Sequence, residues 1–445
     1  MSLDEDARAE LAELESLHRL RVPRTVETRQ GPTFILDGRE VINLSSNDYL
    51  SLAGDPRIAH AGIASLEESG VGSGASRLIA GTHRMHVALE SAVADWMRFE
   101  DGQGHEGGVR LFNSGYAANT GVLATLARAG DDVFSDELNH ASIIDGCRLS
   151  RANVVVYPHL DVPALERALA RSTASRKIVV TESLFSMDGD IADLAAISSV
   201  CKRHDAALIV DEAHAIGACG PEGRGIAADS AITPDVLVGT FGKALGTFGA
   251  FVATSRAIAD LLWNRARSFV FSTALPPAIP ASTLASIEIV RGTEGLDRRR
   301  RLATNARAFR ELVPHAGGAR ESAIAPVRVE SLDARKASMN ASTRDSAFNA
   351  PSRTDSMLAS SGDGSNASSR TDSMLASSGD GSNAFSSRST SDRRVMEITA
   401  RLLAHGVFVQ GIRPPTVPEG TARLRASLAA DHTFEHLQTT AMLLK

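Results

Sequence analysis

The sequence has little cysteine and no long apolar run, and each shortage closes off a class of function. Its three cysteines, Cys147, Cys201 and Cys219, lie far apart with no C-x-x-C, which argues against a disulfide framework and against a zinc site. No stretch of about 18 uninterrupted apolar residues occurs, so a membrane span is not expected. The first residues, with Asp4, Glu5, Asp6 and Glu10, lack the apolar core of a signal peptide and the arginines of a transit peptide. A formal net charge of -6 over 445 residues is mild and points to neither nucleic acid nor an anionic membrane as partner. The basic run Arg298 to Arg301 is expected to be a solvated helix face. Together these absences predict a cytoplasmic protein without a structural metal.

What is present is ordinary for a globular chain: 43% hydrophobic and 22% charged residues, with length for two compact domains. Leu11, Leu14, Leu17 and Leu20 recur at helical spacing, predicting an amphipathic arm that ends near Pro23. From about 85 to 290, short β-branched runs alternate with helical stretches. The clearest strands are 154–157, 178–181, 208–211 and 236–238, with helices over 164–171 and 194–204. This alternation predicts an α/β fold, a mostly parallel sheet in a large domain. Ligands in such sheets gather beyond the carboxyl ends of the strands. The domains expected are an N-terminal arm over 1–55, a large α/β domain over 56–290 and a smaller α+β C-terminal domain over 291–445.

Residues 331–394 break the pattern. They are rich in Ser, Asn, Asp and Gly, and SRTDSMLASSGDGSNA occurs at 352–367 and again, unchanged, at 369–384. Two copies are too few to stack a repeat core. So polar a stretch cannot bury enough apolar area to offset its ordering entropy, and it is expected to be a disordered surface insertion. Helix and strand patterns resume at 395–403 and 407–410.

Chemistry concentrates after two of the predicted strands. Asp211 ends Ala207-Leu208-Ile209-Val210 and would look into the ligand crevice, where an ionised carboxylate calls for a cation. A protonated pyridine nitrogen would serve, and His214 follows three residues later. The stretch Gly239-Thr240-Phe241-Gly242-Lys243-Ala244-Leu245-Gly246 follows the last strand. Thr240 can offer a hydroxyl to a phosphate, and the glycines let backbone approach a flat ligand. Desolvation would lower the Lys243 pKa and make it a better nucleophile and base. Asp211-Glu212-Ala213-His214 spells a helicase DEAH and Gly242-Lys243 mimics the end of a phosphate loop. That loop needs G-x-x-x-x-G-K-[ST], yet position 237 is Leu and position 244 is Ala, so an NTPase is excluded.

With Asp211, His214 and the Lys243 loop in this order, the chain resembles the fold-type I pyridoxal-phosphate (PLP) transferases, and among them the α-oxoamine synthases. Supporting blocks are NLSSNDYL at 43–50, GSGASRL at 72–78, NSGYAANTG at 113–121 and LNHASIIDG at 138–146. TESLFSMDGD at 181–190, FSTALPP at 271–277 and IRPPTVPEGTARLR at 412–425 complete the set. The likeness spans nearly all of the chain outside 331–394.

The resemblance implies a role for each matched residue. Lys243 would carry the cofactor as a Schiff base, Asp211 would keep the pyridine nitrogen protonated, His140 would lie over the ring and His214 would bond its phenolic oxygen. Thr240, Gly115 and Tyr116 would bind phosphate, with Ser186 near the ring and Glu182 in support. Ser272 and Thr273 would serve the site of a neighbouring subunit in a homodimer. Arg425 would hold the amino-acid carboxylate with Asn47, and Arg21 and Thr416 would face the acyl substrate. The reaction implied is the decarboxylative condensation of L-alanine with pimeloyl-CoA, or a pimeloyl-carrier protein, to 8-amino-7-oxononanoate in biotin biosynthesis. Rival readings are a glycine-using sister, 2-amino-3-ketobutyrate CoA ligase or 5-aminolevulinate synthase, and a non-catalytic PLP-fold protein whose insertion recruits a partner.

Overall fold

The structure, a computed structural model, describes residues 2–99, 107–328 and 381–445. Contacts along the chain group it into two compact units. The first comprises Met1–Arg21, Arg328–Glu397 and Ile412–Arg423. The second comprises Val22–Val327, Ile398–Gly411 and Leu424–Lys445.

In the first unit the predicted arm is the helix Leu3–Ser16. It starts where Ser2 and Glu5 exchange side-chain bonds to each other's backbone N–H groups, at 3.2 and 2.7 Å, satisfying two of the donors a helix end leaves free. None of its residues is buried. Residues 331–380 of the Ser-rich segment lie outside the described residues. The rest of that segment, 381–394, is the first part of the helix Gly381–Ala404, so that stretch is helical where disorder was expected. Asp392 on this helix is buried and receives Arg19 Nε at 2.8 Å.

The second unit holds the large sheet. An antiparallel hairpin, β1 (Thr33–Leu36) and β2 (Arg39–Asn43), comes first. Seven strands follow: β3 (Gly107–Phe112), β4 (Asp132–Asp136), β5 (Asn153–Tyr157), β6 (Lys177–Glu182), β7 (Ala206–Asp211), β8 (Val236–Thr240) and β9 (Ala250–Ser255). They lie in the order β3-β9-β8-β7-β6-β4-β5. Only β9 runs against its neighbours. The four predicted strands are thus β5 to β8, each slightly longer than the pattern suggested. Later come β10 (Ile324–Arg328), β11 (Val407–Phe408), β12 (Gln410–Ile412) and β13 (Arg423–Ser427). Of these β11 joins β2 in parallel, and β10, β13 and β12 form a small sheet in that order.

One face of the large sheet presents Ile178, Val180, Ile209, Val236, Val238 and Val252 to Val122, Leu123, Ile143 and Leu262 on three helices. Each fully buried side chain of this kind contributes about 1.5–3 kcal/mol. The helices Val162–Arg171 and Leu194–Arg203 start at Asp161 and Asp193, whose carboxylates accept from Ala164 N and Ala196 N. Such caps satisfy a free N–H at each helix start, fixing where the helix begins after the loop that leaves the carboxyl edge of the sheet. The basic run is only partly solvated. Arg298 donates to Leu50 O at 2.8 Å and half-buried Arg299 to Val290 O at 2.9 Å, leaving Arg300 and Arg301 exposed. The three cysteines are free thiols, and burial pushes that of Cys147 up to about 11. Among the described residues no group of side chains could hold a metal ion, and no helix is long and apolar enough to cross a membrane.

Candidate active site

The carboxyl edge of β6, β7 and β8 brings acid, lysine and histidine together. Parallel pairing sets Glu182 beside Asp211, and Asp211 beside Val238. Both acids therefore leave the sheet on one side, with adjacent strands ~4.8 Å apart. Asp211 is buried, and it accepts from Ala213 N at 2.8 Å and from Asn119 Nδ2 at 2.6 Å. Glu182 is buried as well; its Oε2 accepts from Ser186 N at 3.2 Å, while among the described residues Oε1 has no hydrogen-bond partner. Burial and then the Asp211 charge raise the Glu182 pKa.

Lys243 follows β8 in a turn closed by Gly246 N to Lys243 O at 2.9 Å and Thr247 N to Phe241 O at 2.9 Å. Its residue is half-buried, and desolvation brings its pKa down to about 8 despite the attraction of Asp211 and Glu182; Arg425 adds to the fall. A cavity of about 400 Å³ beside it is lined by Asn47, Asp48, Gly242, Lys243, Thr247 and Phe408 among others. The Thr240 hydroxyl donates to Gly249 O at 3.0 Å and accepts from Gly242 N at 3.3 Å.

Two histidines approach from opposite sides of this chemistry in the chain. His140 caps the helix Ala141–Ser150. Its Nδ1 lies 2.7 Å from Ser142 Oγ and accepts from Ser142 N at 3.2 Å. Ser142 Oγ in turn accepts from Asn119 Nδ2 at 2.9 Å, which completes a path to Asp211. Loss of water around the ring lowers the His140 pKa; Asp211 opposes this and Lys243 reinforces it. His214 is buried, with its pKa pushed well down by burial and by Lys243 and Arg425. Its Nδ1 is 2.7 Å from the hydroxyl of fully buried Tyr49.

Arg425, on β13, ties the second half of the cluster. It donates to Ser186 O at 2.6 Å, Ser427 Oγ at 2.7 Å, Asn47 Oδ1 at 3.2 Å and Tyr49 Oη at 3.3 Å. All are neutral acceptors. Among the described residues no carboxylate lies within ion-pair distance of this buried guanidinium. An uncompensated buried cation is costly, so the arrangement favours an anion arriving from outside.

Gly115 and Tyr116 open the helix Gly115–Leu126, capped by Ser114 on Ala117 N at 3.1 Å. A Cβ at Gly115 would meet nothing within 4 Å, so backbone N–H groups there are open to an anion. Tyr116 is exposed and bonds Asp145. Just before them, Asn113 Nδ2 donates to Ser272 Oγ at 2.7 Å and Thr273 O at 2.9 Å. Arg21 and Thr416 belong to the first unit and meet each other there, Nη2 to Oγ1 at 3.1 Å.

Asn119, Ser142, Asn113 and Tyr49 received no role from sequence, although each lies inside a quoted block. A polar Asn in the middle of an apolar helix was the available signal for Asn119. Glu212, the second acid of the DEAH lookalike, is fully buried and accepts from Ser183 Oγ, Ile226 N and Ala227 N at 2.7, 3.1 and 2.6 Å. It anchors a loop in which Gly225 has φ +92, and a Cβ at that glycine would sit 2.6 Å from Glu212 Oε2.

Comparison with known proteins decides the family. The model of class I and II aminotransferases matches residues 39–328. The 8-amino-7-oxononanoate synthase of Geobacter sulfurreducens is 42% identical over 96% of this chain and 94% of its own. That of Anaeromyxobacter dehalogenans is also 42% identical, over 95% and 90%. The chain belongs to the 8-amino-7-oxononanoate synthase family. Among solved structures, serine palmitoyltransferase from S. paucimobilis, with PLP and myriocin bound, superposes with a TM-score of 0.79 at 29% identity, over 100% of this chain and 98% of that one. An 8-amino-7-oxononanoate synthase from Francisella tularensis gives 0.65 at 25% identity, over 91% and 96%. The fold-type I transferase architecture read from the sequence is borne out. The residues also fit the cofactor of that fold: a lysine of lowered pKa, a buried carboxylate on the next strand, and an open helix N-terminus.

Proposed function

We propose that this chain condenses L-alanine with a pimeloyl thioester, on CoA or a carrier protein, to give 8-amino-7-oxononanoate, the free thiol and carbon dioxide in biotin biosynthesis. The observation that carries the reading is Arg425, a buried guanidinium whose partners are all neutral, in one cluster with Asn47, Ser186 and His214. Its planar fork suits an amino-acid carboxylate.

Pyridoxal phosphate, when bound, supplies an electron sink for the amino-acid α-carbon. Lys243 would hold it covalently, Asp211 would face the ring nitrogen, His140 the ring face and His214 the phenolic oxygen. Ser186 would lie near the ring, with Glu182 fixing its backbone. Gly115, Tyr116 and Thr240 would receive the phosphate. With its lowered pKa, the Lys243 amine would be the base placed to take the alanine α-proton. Arg425 and Asn47 hold the alanine carboxylate while the α-carbon attacks the thioester and the thiol departs. Lys243 then returns a proton after the carboxylate has left as carbon dioxide. Arg21 and Thr416 would serve the acyl chain.

The active form proposed is a cytoplasmic homodimer in which Ser272 and Thr273 contribute to the partner's phosphate site. Exposed Val71, Ile79 and Phe271 support an apolar contact, on two segments that pair at Ser76 and Thr273. The division into 1–55, 56–290 and 291–445, with an insertion in 331–394, is proposed alongside and is tested by limited proteolysis. Purified enzyme with PLP should turn over alanine with pimeloyl thioesters. Greater turnover of glycine with acetyl- or succinyl-CoA, or of serine with palmitoyl-CoA, would replace this reading.

A further inference from the structure

The bonds around Asn119 determine where the protons between Asp211 and His140 sit. An ionised carboxylate only accepts, and two donors reach Asp211, Ala213 N at 2.8 Å and Asn119 at 2.6 Å. The Asn119 atom facing Asp211 is therefore the amide nitrogen, which fixes the rotation of the amide. Its second hydrogen goes to Ser142 Oγ at 2.9 Å. With that oxygen already accepting, the Ser142 hydrogen points to His140 Nδ1 at 2.7 Å, where Ser142 N also donates at 3.2 Å. A ring nitrogen that accepts two hydrogen bonds carries no proton. In the neutral ring the proton must then sit on Nε2.

We propose that Asn119 and Ser142 are positioning residues: they pass the hydrogen-bond order set by Asp211 on to His140 and hold it as the Nε2–H tautomer, ring plane fixed. The chain of donors runs through two helices, Gly115–Leu126 and Ala141–Ser150, that pack on each other. It places a defined donor, rather than a base, on the side of His140 away from Ser142. Nε2 makes no hydrogen bond within the described residues, so that donor is free for a ligand. The inference rests on the reading that Asp211 and His140 flank the cofactor, but the tautomer itself is a property of the protein alone.

The test uses cofactor-free enzyme with ¹⁵N-labelled histidine rings, assigned by loss of one signal in His140→Gln. Wild type should show Nδ1 as a bare, hydrogen-bonded nitrogen and Nε2 protonated. Because Ser142 N still donates, Ser142→Ala and Asn119→Ala should shift the Nδ1 signal part of the way toward the protonated form, as the hydroxyl donor is lost or released. In holoenzyme Ser142→Ala should lower kcat about 2- to 10-fold, the range of one neutral hydrogen bond, with a smaller change in the alanine KM. Ser142→Thr should restore both readouts. If Asn119→Ala does not fold, Ser142→Ala alone decides. An unchanged His140 signal in Ser142→Ala, or no recovery in Ser142→Thr, overturns the proposal. A moved signal with unchanged turnover would uphold the tautomer assignment and overturn the functional reading beneath it.

Discussion

The carboxyl edge of the large sheet carries two histidine–aspartate clusters, and they are wired differently. After β4 and β5, His159 Nδ1 sits directly on Asp136 Oδ1 at 2.9 Å, and its Nε2 lies 3.6 Å from Asp190 Oδ2, an ion-pair distance but not a hydrogen bond. Burial alone would lower the His159 pKa; the two carboxylates outweigh it and raise it to about 9. After β4 and β7, His140 reaches Asp211 only through Ser142 and Asn119, and its pKa falls. Direct contact with an acid keeps an imidazole charged. Two neutral groups in between orient the ring without charging it. The first arrangement suits a clamp, because Asp136 also accepts from Leu138 N and Leu160 N and Asp190 belongs to the loop that carries Ser186. The second suits a site where a neutral ring must lie against a ligand.

The comparison breaks if substitutions at the two clusters fail to separate activity from stability. The largest effect is expected from Lys243→Ala, which should cut turnover about 10²–10⁴-fold while leaving the urea midpoint at or above that of wild type. Retained turnover would refute the site. Next, Asp136→Asn should cost about 3–5 kcal/mol of stability, as expected when one partner of a buried pair is removed, with kcat per folded molecule within a few-fold. A clamp mutant of normal stability would make the two clusters alike.

A third expectation concerns pH. The folded His159 pKa, about 9, is above its ordinary value of 6.5. Its contribution is therefore fully present below about pH 6.5 and is lost as pH rises through 9. The stability gap between wild type and His159→Gln, followed by urea unfolding, should be widest near pH 6 and should narrow by about pH 10 as the charge on His159 is lost. A gap that widens with pH would reverse the sign of the argument.

The smallest effects are on substrates. Arg425→Lys keeps the charge and loses the fork, and should weaken alanine by about 1.5–3 kcal/mol in KM with little change for the thioester. Thr416→Val should affect mainly the thioester, by about 0.5–1.5 kcal/mol. Separate titrations of the two substrates check the division.

Much of this was legible in the sequence because strand-end chemistry is local. Asp211, Glu182 and Lys243 each stand at or just after a β-branched run, and alternation alone put those runs in one parallel sheet. The reversed β9 was missed, since Ala250–Ser255 follows the Lys243 loop too closely to look like a separate element. Asn119 and Ser142 were missed because their roles exist only where two helices meet. The same holds for His159, whose partners lie 23 and 31 positions away. The helix at 381–394 was hidden by composition: the segment reads as polar low complexity, yet Asp392 within it is buried on Arg19.

The reversed strand also sets an order in time. Among the described strands β3 touches the sheet only through β9, so a chain leaving the ribosome cannot seat that edge until residue 255 has emerged. At ~5–20 residues per second, that leaves β3 without its neighbour for about 7–30 s of synthesis. The helix that follows β3, with Asn119 and the open glycine end, waits with it. The residues proposed to hold the cofactor on that side are therefore seated only after residue 255 has emerged, and a cofactor cannot help nucleate the fold from there any earlier.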